Sequence, residues 1–383
     1  MPVPFIDLKR FEDSIPEIFS QKIQSLVANT QFIGGKEVEI FEETLKKDNQ
    51  VAYAIGCANG TDAIQLALRA VGVGSGDKVL LPDLTFWATF EAIINVGAEP
   101  ITVDISLEDL QMDFFLFQEA VEKFQPKAAI LVHLYGWTSQ YLESFRKYAK
   151  EKNVFLIEDG AQSYRVKVNG ESIYKNALVA TVSFYPAKVF GAAGDAGAVL
   201  TQNPEIAQKV RSLGNHGREF HYSHQYVGWN SRLGNLQAAY LNVNFPYLGE
   251  RIQSRRLIAD SYRRDLAEKF EVHTTPGLVS SQGVLWKESA TSIRIEENGY
   301  LNVILMDPKK RNAFLEHLKK HQIGFGTVYP DPISVQKGAQ GYLRYKVGGD
   351  NAKRVCSSVV NLPLFPYMTS AEYNEIIEVV NRF

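Results

Sequence analysis

Between about Val51 and Thr201 short apolar runs alternate with helical patterns. AYAIGCA, KVLLP, PITV, AAILVHL and VFLIED are the runs; the intervening IQLALRAVGV places Ile64, Ala67, Leu68 and Val71 at helical spacing. This rhythm predicts an α/β fold, a mostly parallel central sheet sandwiched by helices, with ligands at the carboxyl ends of the strands. Ahead of it, IPEIFSQKIQSLVAN carries apolar residues at 15, 19, 23, 26 and 27, an amphipathic helix, and Phe32-Ile33-Gly34-Gly35 reads as a turn.

Beyond roughly Pro246 the pattern changes. A charged helix, GERIQSRRLIADSYRRDLAEKF, leads through a Gly/Ser-rich patch (276–283) to a strand, YLNVILM, and an amphipathic helix, KKRNAFLEHLKKH. A last helix starts behind Thr369, with Glu372 at capping-box spacing. Residues 1–249 are expected to form a large domain that includes the N-terminal segment, and 250–383 a smaller α+β domain. The arginines between 251 and 264 read as a solvated helix face in preference to a binding patch.

A chain of 383 residues suits one large domain and a smaller one. With 41 basic against 43 acidic side chains the formal charge is −2, which points to neither nucleic acid nor a membrane surface. Cys57 and Cys356 stand far apart without a CxxC or histidine-rich setting, so no disulfide framework and no metal site is expected. The start has no apolar signal region and no later run has the length of a membrane span, so a cytoplasmic location is expected.

Candidate chemistry centres on IEDGAQSY and SFYPAKVFGAAGDAGAVLT. Asp159 follows the apolar run VFLI, and twenty-nine residues later Lys188 sits in a Ser-Phe-Tyr-Pro turn bounded by glycines. A lysine amine can form a Schiff base with the aldehyde of pyridoxal phosphate, while a carboxylate opposite the ring nitrogen keeps the pyridinium protonated. Ordinary structural roles suit each residue taken alone. Asn59-Gly60-Thr61-Asp62 opens a helix after an apolar run; the amides of Gly60 and Thr61 would form a phosphate cup, or simply a capped helix.

Together with these segments, NGTDAIQLALRAVGVGSGDKVLLPDLTFWAT, HLYG, NHGR and VGWNSRLGNLQAA keep order and spacing over most of the chain. In this the sequence resembles the DegT/DnrJ/EryC1/StrS family of sugar aminotransferases, enzymes of PLP fold type I with a central sheet of the seven-stranded kind. The resemblance implies a transaminase that moves an amino group, from L-glutamate, onto a keto or keto-deoxy sugar carried by a nucleotide, with pyridoxamine phosphate as the intermediate cofactor form. A sugar dehydratase or a non-catalytic regulatory relative is the alternative; Lys188 argues against the dehydratase branch, where histidine replaces the lysine.

Within that reading Lys188 and Asp159 are catalytic. Gln162 would donate to the ring's phenolic oxygen or hold the loop together, and Ser183 would add a hydroxyl to the phosphate cup. Phe86 matches the family position that stacks on the cofactor, with Trp87 as the fallback. Asn230 would reach the phosphate in the neighbouring subunit, which implies a homodimer with shared active sites. The chain departs from the family at Tyr164-Arg165-Val166, where a glycine is usual, and at 328–336, which lacks both usual histidines. Arg165, Tyr329 and Gln336 are therefore the candidate substrate contacts; Arg165 could bind a carboxylate or phosphate, or pack against the sheet.

Overall fold

In the computed structural model, which describes residues 2–383, the apolar runs become strands of an eight-stranded sheet. They are β1 (Tyr53–Cys57), β2 (Lys78–Pro82), β3 (Glu99–Val103), β4 (Ala128–Val132), β5 (Phe155–Asp159), β6 (Val179–Ser183), β7 (Gly197–Thr201) and β8 (Tyr345–Val347). Their order is β1-β7-β6-β5-β4-β2-β3-β8. β7 runs antiparallel to both neighbours; the other pairs are parallel. The expected seven strands are thus joined by an eighth from the C-terminal region, a short exposed edge in which Tyr345 and Lys346 face water.

Helices α1 (Ile15–Ala28), α2 (Lys36–Asn49), α3 (Gly60–Ala70), α4 (Trp87–Asn95), α5 (Phe114–Phe124), α6 (Leu142–Glu151), α7 (Pro204–Gly214) and α8 (Asn235–Asn244) pack around this sheet. Every residue of β4 and β7 is buried, which is why those strands do not alternate and are apolar but for Thr201, whose hydroxyl is spent on Leu178 O. The sheet reverses its winding between β2 and β4. The crevice at their carboxyl ends is the place where such folds bind ligands.

A second core gathers Tyr262, Leu266, Ile304, Phe314, Leu318, Val360, Phe365, Ile376 and Val379. It is built by α9 (Leu248–Leu266), α10 (Pro308–Lys320), α12 (Ser370–Asn381) and a three-stranded sheet of Glu271–Val272, Ile304–Leu305 and Val359–Val360, whereas α11 (Asp350–Ser358) gives Ala352, Val355 and Cys356 to the large core. The Thr369/Glu372 capping box forms in full. Val3 belongs to this second core, its amide and carbonyl bonded to Gln322 and Gly324, whereas Phe5 packs against the large core and α1 against α8.

Two further expectations are corrected. The α9 arginines are not all a solvated face: of the five, Arg264 is exposed and Arg251 half-buried, but Arg255, Arg256 and Arg263 are buried, Arg263 in a bidentate pair with Glu297 and the other two on backbone carbonyls. Of YLNVILM only Ile304–Leu305 joins a sheet as a strand, because the residues before it are drawn across the large domain. The Asn298 amide donates to Gly136 O at 3.1 Å, and its Nδ2 donates to the carbonyls of Gln162 and Tyr164 at 2.9 and 3.0 Å.

Candidate active site

Glu158 and Asp159 end β5 as consecutive residues, so their side chains leave opposite faces of the sheet. Both are buried. Glu158 is met by Arg146 of α6, whose Nε and Nη2 donate to its two oxygens at 2.8 Å each, and lies 3.1 Å from His133 Nε2. Burial works against its charge, but Arg146 and His133 outweigh burial and hold its carboxyl down at about 2. Asp159 has no such partner. It accepts from the Thr89 hydroxyl at 3.1 Å and the Ala161 amide at 3.0 Å. Burial raises its carboxyl above the ordinary range, although the Ala161 amide, Lys188 and Thr89 pull the other way. A buried carboxylate with two neutral donors and no cation in contact suits a ring N–H⁺ brought by a ligand.

Gln162 sits on the loop after β5 with its amide orientation settled: Oε1 accepts from the Tyr135 amide at 2.6 Å, which turns the NH₂ outward. One of its protons goes to the Tyr329 hydroxyl at 2.9 Å; a second remains for a ligand oxygen. Tyr329 faces Phe86, ring centroids 5.9 Å apart. Phe86 precedes α4 and is 56% exposed, whereas Trp87 turns onto Phe90 and beneath Gly338. Of the two aromatics, Phe86 is the one that borders the cleft.

α3 starts beside β6 and β7. Asn59 spends its side-chain oxygen on the Asp62 amide, leaving the Gly60 and Thr61 amides ahead of it, where a helix has no internal acceptor. Both glycines here are spatial necessities: a Cβ on Gly60 would fall 2.7 Å from Ser183 Cβ, and one on Gly197 would fall 2.4 Å from Asn59 O. The close approach sets the Ser183 hydroxyl against the helix N-terminus. Anion-binding groups and a half-buried lysine, Lys188, therefore lie at the ends of adjoining strands. Lys188 Nζ contacts the Tyr300 hydroxyl at 3.4 Å and the face of that ring, 5.1 Å from its centroid.

The remaining candidates fall elsewhere. Arg165 does not reach the cleft. Its guanidinium holds Asp48 at the end of α2 through Nε and Nη2, at 2.7 to 3.0 Å, and stacks on Phe245 at 4.8 Å. Its backbone is left-handed, φ 62°, and this turn carries the side chain away from the direction Gln162 takes. Gln336 is half-buried in a segment anchored by Ser334, which bonds Asp83 through its amide and hydroxyl at 2.7 Å each. Asn230 is exposed and accepts from Arg232 at 2.5 Å; nothing ties it to the other candidates within one chain.

Several groups that shape the site carry no local sequence signal: Thr89, Tyr135 with its left-handed backbone (φ 65°), and Asp83. Tyr300 had one, the Asn-Gly dipeptide just before an apolar run, which marks a turn. Among the described residues no group of three or more His, Cys, Asp or Glu could hold a metal ion, and no helix is long and apolar enough to cross a membrane.

Residues 13–381 match the model of the DegT/DnrJ/EryC1/StrS aminotransferase family. A pleiotropic regulatory protein of Geobacillus stearothermophilus is 33% identical, with 100% of this chain and 99% of that protein covered. The UDP-2-acetamido-2-deoxy-3-oxo-D-glucuronate aminotransferase of Pseudomonas aeruginosa is 32% identical over 96% of this chain and 97% of its own. Among solved structures, DesV of S. venezuelae superposes with a TM-score of 0.90 at 28% identity, covering 100% of this chain and 98% of that one.

Proposed function

The chain belongs to the DegT/DnrJ/EryC1/StrS aminotransferase family, and from that premise we propose that it is a pyridoxal-phosphate-dependent transaminase that moves an amino group from L-glutamate to a nucleotide-linked keto sugar. The observation that carries this reading is the contrast at the end of β5. Two adjacent carboxylates are buried; one is matched by a guanidinium and the other awaits a cation.

Bound pyridoxal phosphate supplies an electron sink for a substrate carbon that loses its proton. The residues present fit it. Asp159 would hold a proton on the ring nitrogen, Gln162 would donate its free N–H to the ring oxygen, and Phe86 would cover one face. Gly60, Thr61 and Ser183 would receive the phosphate. Lys188, attached to a half-buried turn, would take a proton from the donor's carbon and return it one position along, with Tyr329 beside it at the substrate's approach.

The regulatory alternative has the names of two relatives behind it, a pleiotropic regulatory protein and a sensory transduction protein; retention of both Lys188 and Asp159 supports the enzyme. A homodimer fits the exposed surface around 218–230, where Phe220, Tyr222 and Val227 are 71%, 90% and 87% exposed. Such apolar surface calls for cover, and a partner seated there would bring Asn230 toward its neighbour's phosphate. A cytoplasmic location accords with nucleotide-sugar substrates.

The test is direct. Purified protein incubated with pyridoxal phosphate should acquire a visible absorption band that borohydride abolishes, with reduced cofactor attached at Lys188. It should then aminate a panel of UDP- and dTDP-linked 3- or 4-keto sugars at the expense of glutamate, and Lys188→Ala should do neither. A wild-type protein that takes up no cofactor would favour the regulatory reading.

A further inference from the structure

Lys188 has four rotatable side-chain bonds and sits in a cleft. Freezing such a chain costs roughly 1.5–2 kcal/mol of rotamer entropy, so a lysine that must present its nitrogen at one point benefits from a rest position. The structure contains one. Among the described residues the only hydrogen-bond partner of Lys188 Nζ is the Tyr300 hydroxyl, at 3.4 Å, and that hydroxyl has no other. The nitrogen also lies over the Tyr300 ring, 5.1 Å from its centroid.

Tyr300 is itself held firmly. Its amide donates to Asn298 Oδ1 at 3.0 Å, and Asn298 is bonded to the carbonyls of Gln162 and Tyr164 and, through its own amide, to Gly136 O. Two glycines make this fit possible. A Cβ on Gly136 (φ 101°) would fall 2.3 Å from Asn298 Oδ1 and 2.9 Å from Tyr300 Cβ; one on Gly299 (φ 64°) would fall 2.7 Å from Arg255 Cβ. The preceding Glu297 is locked to Arg263. One segment, 297–300, thus ties the loop that carries Gln162 to the ring against which Lys188 rests.

We propose that Tyr300 is the positioning residue of Lys188: its hydroxyl takes one N–H of the amine and its ring lies against the nitrogen, so that the nitrogen lone pair is left facing the cofactor space. The inference rests on the reading of the site given above. In the capture of the cofactor, Nζ adds to the aldehyde carbon, the carbonyl oxygen leaves as one water, and a carbon–nitrogen double bond remains. A positioned amine reaches this geometry more often, and in turnover it meets the substrate carbon's proton more often.

The experiment compares wild type with Tyr300→Phe, which keeps the ring and loses the acceptor, and Tyr300→Leu, which loses both. Cofactor-free protein is mixed with pyridoxal phosphate and the rise of the visible band is followed by stopped flow; affinity for pyridoxamine phosphate, which forms no bond to Lys188, is measured alongside. Capture should slow about 3–10-fold in Tyr300→Phe, the value of one neutral hydrogen bond, and further in Tyr300→Leu, with pyridoxamine phosphate affinity within about twofold of wild type. With deuterated glutamate the isotope effect on the donor half-reaction should rise in Tyr300→Phe. Unchanged capture in both variants, or equal losses for both cofactor forms, would overturn the assignment. A wild type that never captures the aldehyde would instead overturn the proposed function.

Discussion

Replacing Asp159 by asparagine should change stability and cofactor affinity in opposite directions. The substitution is nearly isosteric and the surroundings can accept it. The oxygen of the introduced amide can keep the Ala161 amide, now at 3.0 Å, while the new NH₂ faces Thr89 Oγ1, whose own proton can turn to Thr85 Oγ1 at 2.9 Å. Only the charge is lost. Because burial raises the Asp159 carboxyl in the folded chain, its ionisation opposes folding at pH values above that raised pKa, and the opposition disappears as pH falls through it. The cofactor-free variant should therefore be more stable than wild type at neutral pH, by about 1–3 kcal/mol, the usual cost of an imperfectly satisfied buried group. That advantage should vanish in acid. Pyridoxal phosphate affinity should fall, by the about 1.5–3 kcal/mol of a charge-assisted hydrogen bond, or roughly 10–150-fold. Calorimetry of the cofactor-free proteins at pH 7 and pH 4, with equilibrium titration of the cofactor, reads both signs. A variant less stable than wild type without cofactor, or equal to it in affinity, would mean that Asp159 has a cation partner in the chain and does not face the ring nitrogen.

Arg165→Ala should leave the KM for the sugar nucleotide and glutamate within about twofold and cost about 1.5–3 kcal/mol of stability, through loss of the Asp48 pair; a raised sugar KM with unchanged melting would return the residue to the substrate site. Glu158, held at about 2, contributes stability that is present above its ordinary value of 4.5 and lost as pH falls from there toward 2. Arg146→Met should remove that dependence and cost about 3–5 kcal/mol at pH 7 by stranding a buried carboxylate, seen as a flattened acid limb in melting temperature against pH. Mixed Lys188→Ala and Asn230→Ala subunits should yield heterodimers with one intact site in two, about a quarter of wild-type sites at statistical exchange; no recovery, with exchange verified by mass spectrometry, would place both groups in one chain's site.

What the sequence makes legible here is what depends on neighbours along the chain. Strand runs, the α3 entry at Asn59 and the Thr369 capping box are local, and so is the placement of Asp159 at the end of β5 and of Gln162 just beyond it. Directions of side chains past the strand ends are not. Arg165 lies three residues from Gln162 and on the same loop, but a single left-handed residue sends its guanidinium to Asp48 on α2. The α9 arginines show the same limit: their spacing among apolar residues is that of a surface helix, and only the closing of the C-terminal unit over them, with Glu297 and the carbonyls of Ser280 and Leu364 as partners, makes Arg255, Arg256 and Arg263 interior. Tyr300 is the sharper case. An apolar run after Asn-Gly reads as a strand beginning at the tyrosine, and it would be one if Asn298 had not three partners on the large domain. Those bonds spend residues 298–303 on spanning the two cores, delay the strand to Ile304, and deliver a phenol to Lys188. Where a predicted strand starts late, the residues it gave up are the ones to search for chemistry.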